Sequence, residues 1–172
     1  MDEHTHHTMV GGEHSPREII KFVGVIAAIL ITSSVITYYA GTFGLREFLR
    51  YFMGVFFVVF ASFKFLGYEM FKEMFAGYDV IAKRSSAYAA AYPFIELALG
   101  LAYLANMFPT GLNLITLIIM AISSIGVFQE IRRRSGIHCA CLGNIIKLPL
   151  STVSLVENVG MGLMALAMLL IV

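Results

Sequence analysis

Five apolar runs govern what this chain can fold into: Ile19–Ala40, Phe48–Gly67, Ser86–Met107, Thr110–Phe128 and Leu150–Val172. Each approaches the roughly 20 residues that an α-helix needs to cross the hydrocarbon core of a bilayer. A helix satisfies its backbone N–H and C=O groups internally, which is what hydrocarbon demands. The expected fold class is therefore an all-α membrane protein with about five transmembrane helices. Composition points the same way: of 172 residues, 59% are hydrophobic and 13% charged, against about 45–50% and about 25% in soluble domains. The length suits a single membrane domain over residues 19–172. A polar, His-rich tail over residues 1–18 precedes it and is expected to be disordered.

The formal net charge is +1. Basic residues occur in short clusters beside the apolar runs and not on an aromatic-rich basic face, so no nucleic-acid partner is expected. The partner that composition dictates is the lipid bilayer. Residues 1–18 carry Asp2, Glu3, Glu13 and Glu18 against Arg17. A cleaved signal peptide starts basic and has a shorter apolar core, so Ile19–Ala40 is expected to be a retained span.

Five spans place alternate loops on opposite faces. One face takes the leader and the loops Tyr68–Ser85 and Glu130–Pro149, with Arg17, Lys72, Lys83, Arg84, Arg132, Arg133, Arg134 and Lys147. The other takes Gly41–Glu47 and the turn at Phe108–Pro109, with Arg46. Lys and Arg in short loops stay cytoplasmic. This predicts a bacterial-type inner or plasma membrane protein with its N-terminus and the Glu130–Pro149 loop in the cytoplasm and Val172 outside.

That loop holds the two cysteines of the chain, Cys139 and Cys141, beside His138 and downstream of Arg132-Arg133-Arg134. Positive charge stabilises a thiolate, the form that attacks disulfides and binds metals. The Arg run also serves simply as a topology anchor, and free cysteines often sit inert as small hydrophobes. A standing structural bridge is not expected, because cytosolic thiols are kept reduced and the C-x-C ring is too small for ordinary disulfide geometry. For a metal, the spacing is tighter than the C-x₂₋₄-C of zinc sites. Cu(I), which accepts few thiolates, is the better match, with His138 or the leader histidines His4, His6 and His7 completing a site.

Lys64 and Glu96 are ionisable groups inside apolar runs, where such groups mark function by default. Lys64 is the expected partner of Glu96, with Glu157 a competing partner for Lys64; a structural ion pair that locks helix packing explains them equally well. Met161, Met164 and Met168 recur on one face of the last run and read as core packing. Tyr68–Phe75 keeps helical periodicity and is expected to extend the second span, with its rings at headgroup level and its end at Gly77-Tyr78-Asp79. Small residues dominate Ser86–Met107 and allow close helix approach.

Several spaced fragments resemble one family. Arg50-x₃-Gly54, Phe63-Lys64-Phe65, Phe75-x₂-Tyr78-Asp79, Pro93-x₂-Glu96-x₃-Gly100 and Cys139-x-Cys141-Leu142-Gly143 follow in order. Over Phe48–Val172 this resembles the DoxX/MauE group of small membrane proteins. The last fragment is similar to the C-x-C-F-G signature of its MauE branch, with Leu142 in place of the aromatic. The resemblance implies a four-helix membrane bundle, here with an extra N-terminal helix, and a redox association. MauE-like proteins are linked to methylamine dehydrogenase maturation, in which disulfides form in a periplasmic subunit; DoxX-like relatives are linked to thiosulfate oxidation and thiol stress. By carry-over Cys139 and Cys141 are the thiol pair, and Lys64 and Glu96 the polar membrane positions.

Three functions fit the sequence. The first is thiol–disulfide exchange with a partner protein through Cys139 and Cys141. If the partner is periplasmic, electrons have to cross the membrane, which calls for a quinone or another cofactor. The second is the handling of a soft metal, Cu(I), through His138, Cys139, Cys141 and the leader histidines, alongside a metal-handling partner. The third is a non-catalytic membrane subunit that holds a partner.

Overall fold

The computed structural model describes residues 16–133 and 150–171, and they are overwhelmingly helical. Six helices follow one another: α1 (Pro16–Tyr39), α2 (Leu45–Leu66), α3 (Tyr68–Tyr78), α4 (Ser86–Leu104), α5 (Pro109–Arg133) and α6 (Leu150–Leu170). Four stretches are long and apolar enough to cross a membrane: Ile19–Tyr39, Leu45–Leu66, Ser86–Leu104 and Pro109–Gln129. The 21-residue α6 contributes the further apolar stretch Glu157–Leu170. Large apolar side chains cover the outer surface; Ile20 is 68% exposed, Ile31 64% and Leu163 60%. Apolar surface on this scale is stable only against lipid or a partner. The protein is an integral membrane protein.

α2 runs along α4, α5 along α6, and α1 lies against α2. Residues four apart on a helix share one face, and Phe52, Phe56 and Phe60 use that spacing to build the buried stripe of α2. The Phe56 and Phe60 rings stack with centroids 4.0 Å apart. α2 meets α4 at Gly54 and Gly100, where the backbones come too close to admit a side chain. This is the close approach that the small residues of α4 permit. Several hydroxyls inside the spans satisfy themselves on their own helix: Ser33 Oγ donates to Ile29 O, Thr37 Oγ1 to Ser33 O and Ser124 Oγ to Met120 O. Such bonds to the preceding turn are how Ser and Thr avoid an unpaired hydroxyl in hydrocarbon.

The α4–α5 turn is tight, and its Asn106 and Phe108 take φ of 53° and 42°. The carbonyls of a helix's last turn lack intrahelical partners. Arg50 of α2 supplies donors, with Nη1 2.8 Å from Tyr103 O and 3.1 Å from Leu104 O. Glu47 Oε2 accepts from Arg50 Nε and holds the guanidinium in place. Nearby, Tyr103 Oη lies 2.8 Å from Asn113 Oδ1 and 3.0 Å from Thr116 Oγ1, joining α4 to α5.

The segment after α2 departs from expectation. It does not extend the second span: Gly67 leaves helical geometry at φ −123°, ψ 40°, and α3 starts afresh. The i, i+4, i+7 stripe Phe71, Phe75 and Tyr78 is buried and stacks on Tyr92 and Tyr88 of α4. These rings therefore serve the protein interior. On the outer side of α3, Glu69 accepts a hydrogen bond from Lys72, which raises the Lys72 ammonium above its ordinary pKa.

Asp79 ends α3 as the sequence suggests and does more. It is fully buried. Its Oδ1 accepts from the backbone N–H groups of Ile81 and Ala82, both at 2.9 Å, and its Oδ2 from Ser123 Oγ of α5 at 3.2 Å. Ser85 then caps α4 by accepting from Tyr88 N, the usual service of an N-cap serine. Contacts of Ser123 and Gly126 with the α3–α4 connection place the C-terminal half of α5 beside α3. α5 therefore ends at the same end of the bundle as α3.

Candidate functional site

Beneath α3, three charged side chains from three helices converge. Lys64 is near the end of α2, Glu96 in the middle of α4 and Glu157 two turns into α6. Lys64 Nζ donates to both oxygens of Glu96, each at 2.6 Å, and to Glu157 Oε1 at 2.8 Å. The three side chains are 1%, 1% and 2% exposed. Glu157 Oε2 is buried and has no hydrogen-bond partner among the described residues. Two rings face the ammonium, Tyr92 at 5.3 Å and Phe71 at 5.7 Å to the centroids. An ammonium beside an aromatic face gains from the ring quadrupole.

The local sequence explains this convergence. The helical period puts Phe57, Phe60 and Lys64 on the buried side of α2, and Tyr92, Glu96, Leu99 and Tyr103 on the buried side of α4. The Gly54–Gly100 approach brings α2 and α4 close enough for a lysine to meet a glutamate on both oxygens. α6 arrives along α5 and presents Glu157 and Asn158, both buried, toward α2. A buried pair survives desolvation only when additional hydrogen bonds complete it. Here the bidentate contact with Glu96 and the third contact to Glu157 do so for Lys64.

The structure thus brings together Lys64 and Glu96 and adds Glu157. The two carboxylates that compete for Lys64 on sequence grounds both bind it. Cys139, Cys141, His138, His4, His6 and His7 lie outside the described residues. Among the described residues, no group of three or more His, Cys, Asp and Glu side chains could hold a metal ion. Met161 and Met168 are buried in the core, in keeping with a packing role. Met161 and Met164 also line an apolar cavity of about 370 Å³ between α1, α2 and α6, with Phe22, Ile26 and Phe56 among its walls. Its walls suit a hydrocarbon chain and offer next to nothing to a polar head.

Two polar residues escaped sequence reasoning as structural actors. Arg50 stood only as part of a spaced fragment, and Asp79 only as part of another and as a helix terminator. The signal for Arg50 was an arginine one turn inside an apolar run with Glu47 three residues before it; a guanidinium so placed must find acceptors within the protein.

The family described as methylamine utilisation protein MauE matches residues 42–171. The chain belongs to the MauE family. No curated protein and no solved structure matches it. The MauE match spans α2 to α6, so the whole buried charge cluster belongs to the family region. It also encloses Cys139 and Cys141. The helix α1 precedes the match entirely, as an addition to the MauE region.

Proposed function

We propose that this MauE-family membrane protein exchanges thiols and disulfides with a partner protein through Cys139 and Cys141. The observation that carries the reading is that the MauE match, residues 42–171, encloses both cysteines of the chain one residue apart. In the reaction, the thiolate of one cysteine attacks the partner's disulfide. A mixed disulfide forms and one partner thiolate leaves. The second cysteine then displaces the partner's other sulfur. The products are a Cys139–Cys141 disulfide and a reduced partner dithiol, so two electrons pass to the partner. A further dithiol has to return two electrons to this chain for another cycle. The strain of so small a ring makes its disulfide easily reduced, so the bridge is transient, and electrons flow to the partner only where the partner's disulfide is the more strongly oxidising of the two.

The proposal includes five spans, α6 being the fifth, with the N-terminus and residues 134–149 in the cytoplasm and the C-terminus outside. The excess of Lys and Arg on the leader, the Tyr68–Ser85 connection and the Glu130–Pro149 loop supports this orientation. The shared location of α3 and the end of α5 agrees with it. In this frame Lys64, Glu96 and Glu157 lie in the half of the membrane nearest the thiols.

Side-resolved thiol trapping in intact cells tests the reading. The expected result is partial oxidation, or linkage to a second protein, with labelling only by a membrane-permeant maleimide. Either Cys139→Ser or Cys141→Ser then accumulates a mixed disulfide, and loss of either thiol abolishes activity. Thiols that are always fully reduced, and become shielded when Cu(I) is added, would replace exchange by metal handling through His138, Cys139 and Cys141. Labelling by an impermeant reagent would reverse the orientation.

A further inference from the structure

The buried cluster has more negative than positive charge. Lys64 provides one ammonium, Glu96 and Glu157 two carboxylates, each bonded to that ammonium. With both acids ionised the cluster carries a formal charge of −1 at full burial. A bilayer interior penalises an uncompensated charge heavily. The hydrogen-bond inventory is also one short, because Glu157 Oε2 is enclosed without a donor among the described residues. An ionised carboxylate in that position would keep an unpaired lone pair in a site closed to water, which is the costly way to bury a polar group.

Among the described residues, the other groups facing the cluster do not cancel that charge. Tyr92 of α4 turns its ring to Lys64, Phe71 of α3 is apolar, and Ser123 of α5, which bonds Asp79, is uncharged. Asp79, the next nearest buried acid, is satisfied by two backbone donors and that serine. A metal cation is a poor candidate for the missing charge. Hard cations take six or more oxygen ligands. Both oxygens of Glu96 and one of Glu157 are already engaged by the ammonium, which leaves a single free oxygen. One oxygen is enough for a proton.

We propose that the Lys64–Glu96–Glu157 cluster is a proton-binding site within the membrane, holding one exchangeable proton on its paired carboxylates. The proton brings the cluster to neutrality and turns one carboxylate into an acid. A group of this kind gives and takes protons inside the membrane while the ammonium stays in place. The proposal does not depend on the thiol reading, since none of its residues lies near position 139 in sequence and its readout needs no partner.

The test is infrared difference spectroscopy on the full chain in lipid nanodiscs, with titration of the carboxylic-acid C=O stretch in H₂O and D₂O. The wild type is expected to show one buried acid band at neutral pH, with the small D₂O shift of an exchangeable proton, lost on titration to alkaline pH. Glu157→Gln and Glu96→Gln each leave one carboxylate to one ammonium, so the band is expected to vanish in both. Lys64→Met leaves two acids without a cation, and the band is expected to double. Circular dichroism confirms that each variant is folded. A wild type without the band at neutral pH, or a band that survives at full intensity in either glutamine variant, would overturn the proposal.

Discussion

Gly54 and Gly100 face each other across the α2–α4 seam with backbone against backbone. A Cβ on Gly100 would stand 3.0 Å from Gly54 O and 3.0 Å from Val58 N, and a Cβ on Gly54 3.2 Å from Gly100 O. The side chains of Leu104 and Val58 crowd the same two positions at 2.8 and 2.9 Å, so a larger residue has to shift both these side chains and the backbone contacts by a few tenths of an ångström. Gly100→Ala is expected to destabilise the fold by about 1–3 kcal/mol, the usual cost of overpacking. Thermal unfolding in detergent, followed by circular dichroism, checks it. An unchanged midpoint would mean that the seam is looser than the backbone distances state.

Lys64 holds two carboxylates, so its removal and the removal of the whole cluster should have opposite outcomes. Lys64→Met leaves Glu96 and Glu157 buried together without their shared donor. Breaking one side of a buried ion pair costs about 3–5 kcal/mol. The combination Lys64→Met, Glu96→Gln and Glu157→Gln removes every charge and is expected to regain most of that loss. Unfolding midpoints of the two variants settle the point; equal destabilisation would show that shape and not charge governs the site.

Asp79 closes the α3–α4 connection with three accepted hydrogen bonds. Asp79→Ala strands the N–H groups of Ile81 and Ala82 and is expected to cost about 1–3 kcal/mol. Asp79→Asn keeps an oxygen for the two N–H groups and is expected to cost less. Amide exchange over residues 79–85 reads the local effect, with faster exchange in the alanine variant than in the asparagine variant.

Gly126 meets the same connection from α5. A Cβ there would lie 2.8 Å from Tyr78 O and 3.0 Å from Asp79 Cα. Gly126→Ala is expected to displace the turn and lengthen the Ser123–Asp79 bond, already 3.2 Å. The combined variant with Asp79→Asn should be less than additive, because the two changes damage one contact. Additive losses in the cycle would show that the two residues act independently.

The helices were legible because hydrocarbon length and apolar runs impose them, and α2, α4 and α5 begin and end within a few residues of the runs that encode them. The path of α3 was not. Its aromatic periodicity is the same whether it continues α2 or folds back, and only the nonhelical backbone at Gly67 decides. Lys64 and Glu96 stood out as charges where charge is expensive. Glu157 could be named as a rival partner, but linear spacing does not tell whether a lysine chooses one of two carboxylates or takes both. The orphan oxygen of Glu157 is a property of three dimensions alone. Gly54 and Gly100 stood out in the sequence only as members of spaced fragments, and their approach across the α2–α4 seam became visible only in the distances.

Arg50 makes the end of α4 dependent on another helix. Without α2, the carbonyl of Leu104 loses the guanidinium that satisfies it, and that of Tyr103 keeps only its bond from Asn106 N. The hairpin of α4 and α5 is thus incomplete as an independent insertion unit. During synthesis α2 enters first, and its Arg50 waits with Glu47 as provisional company until α4 is threaded. The order of the chain matches the order in which these groups can be satisfied. A rearranged protein with α4 and α5 made ahead of α2 would hold the Leu104 carbonyl open for the whole time that α2 takes to emerge.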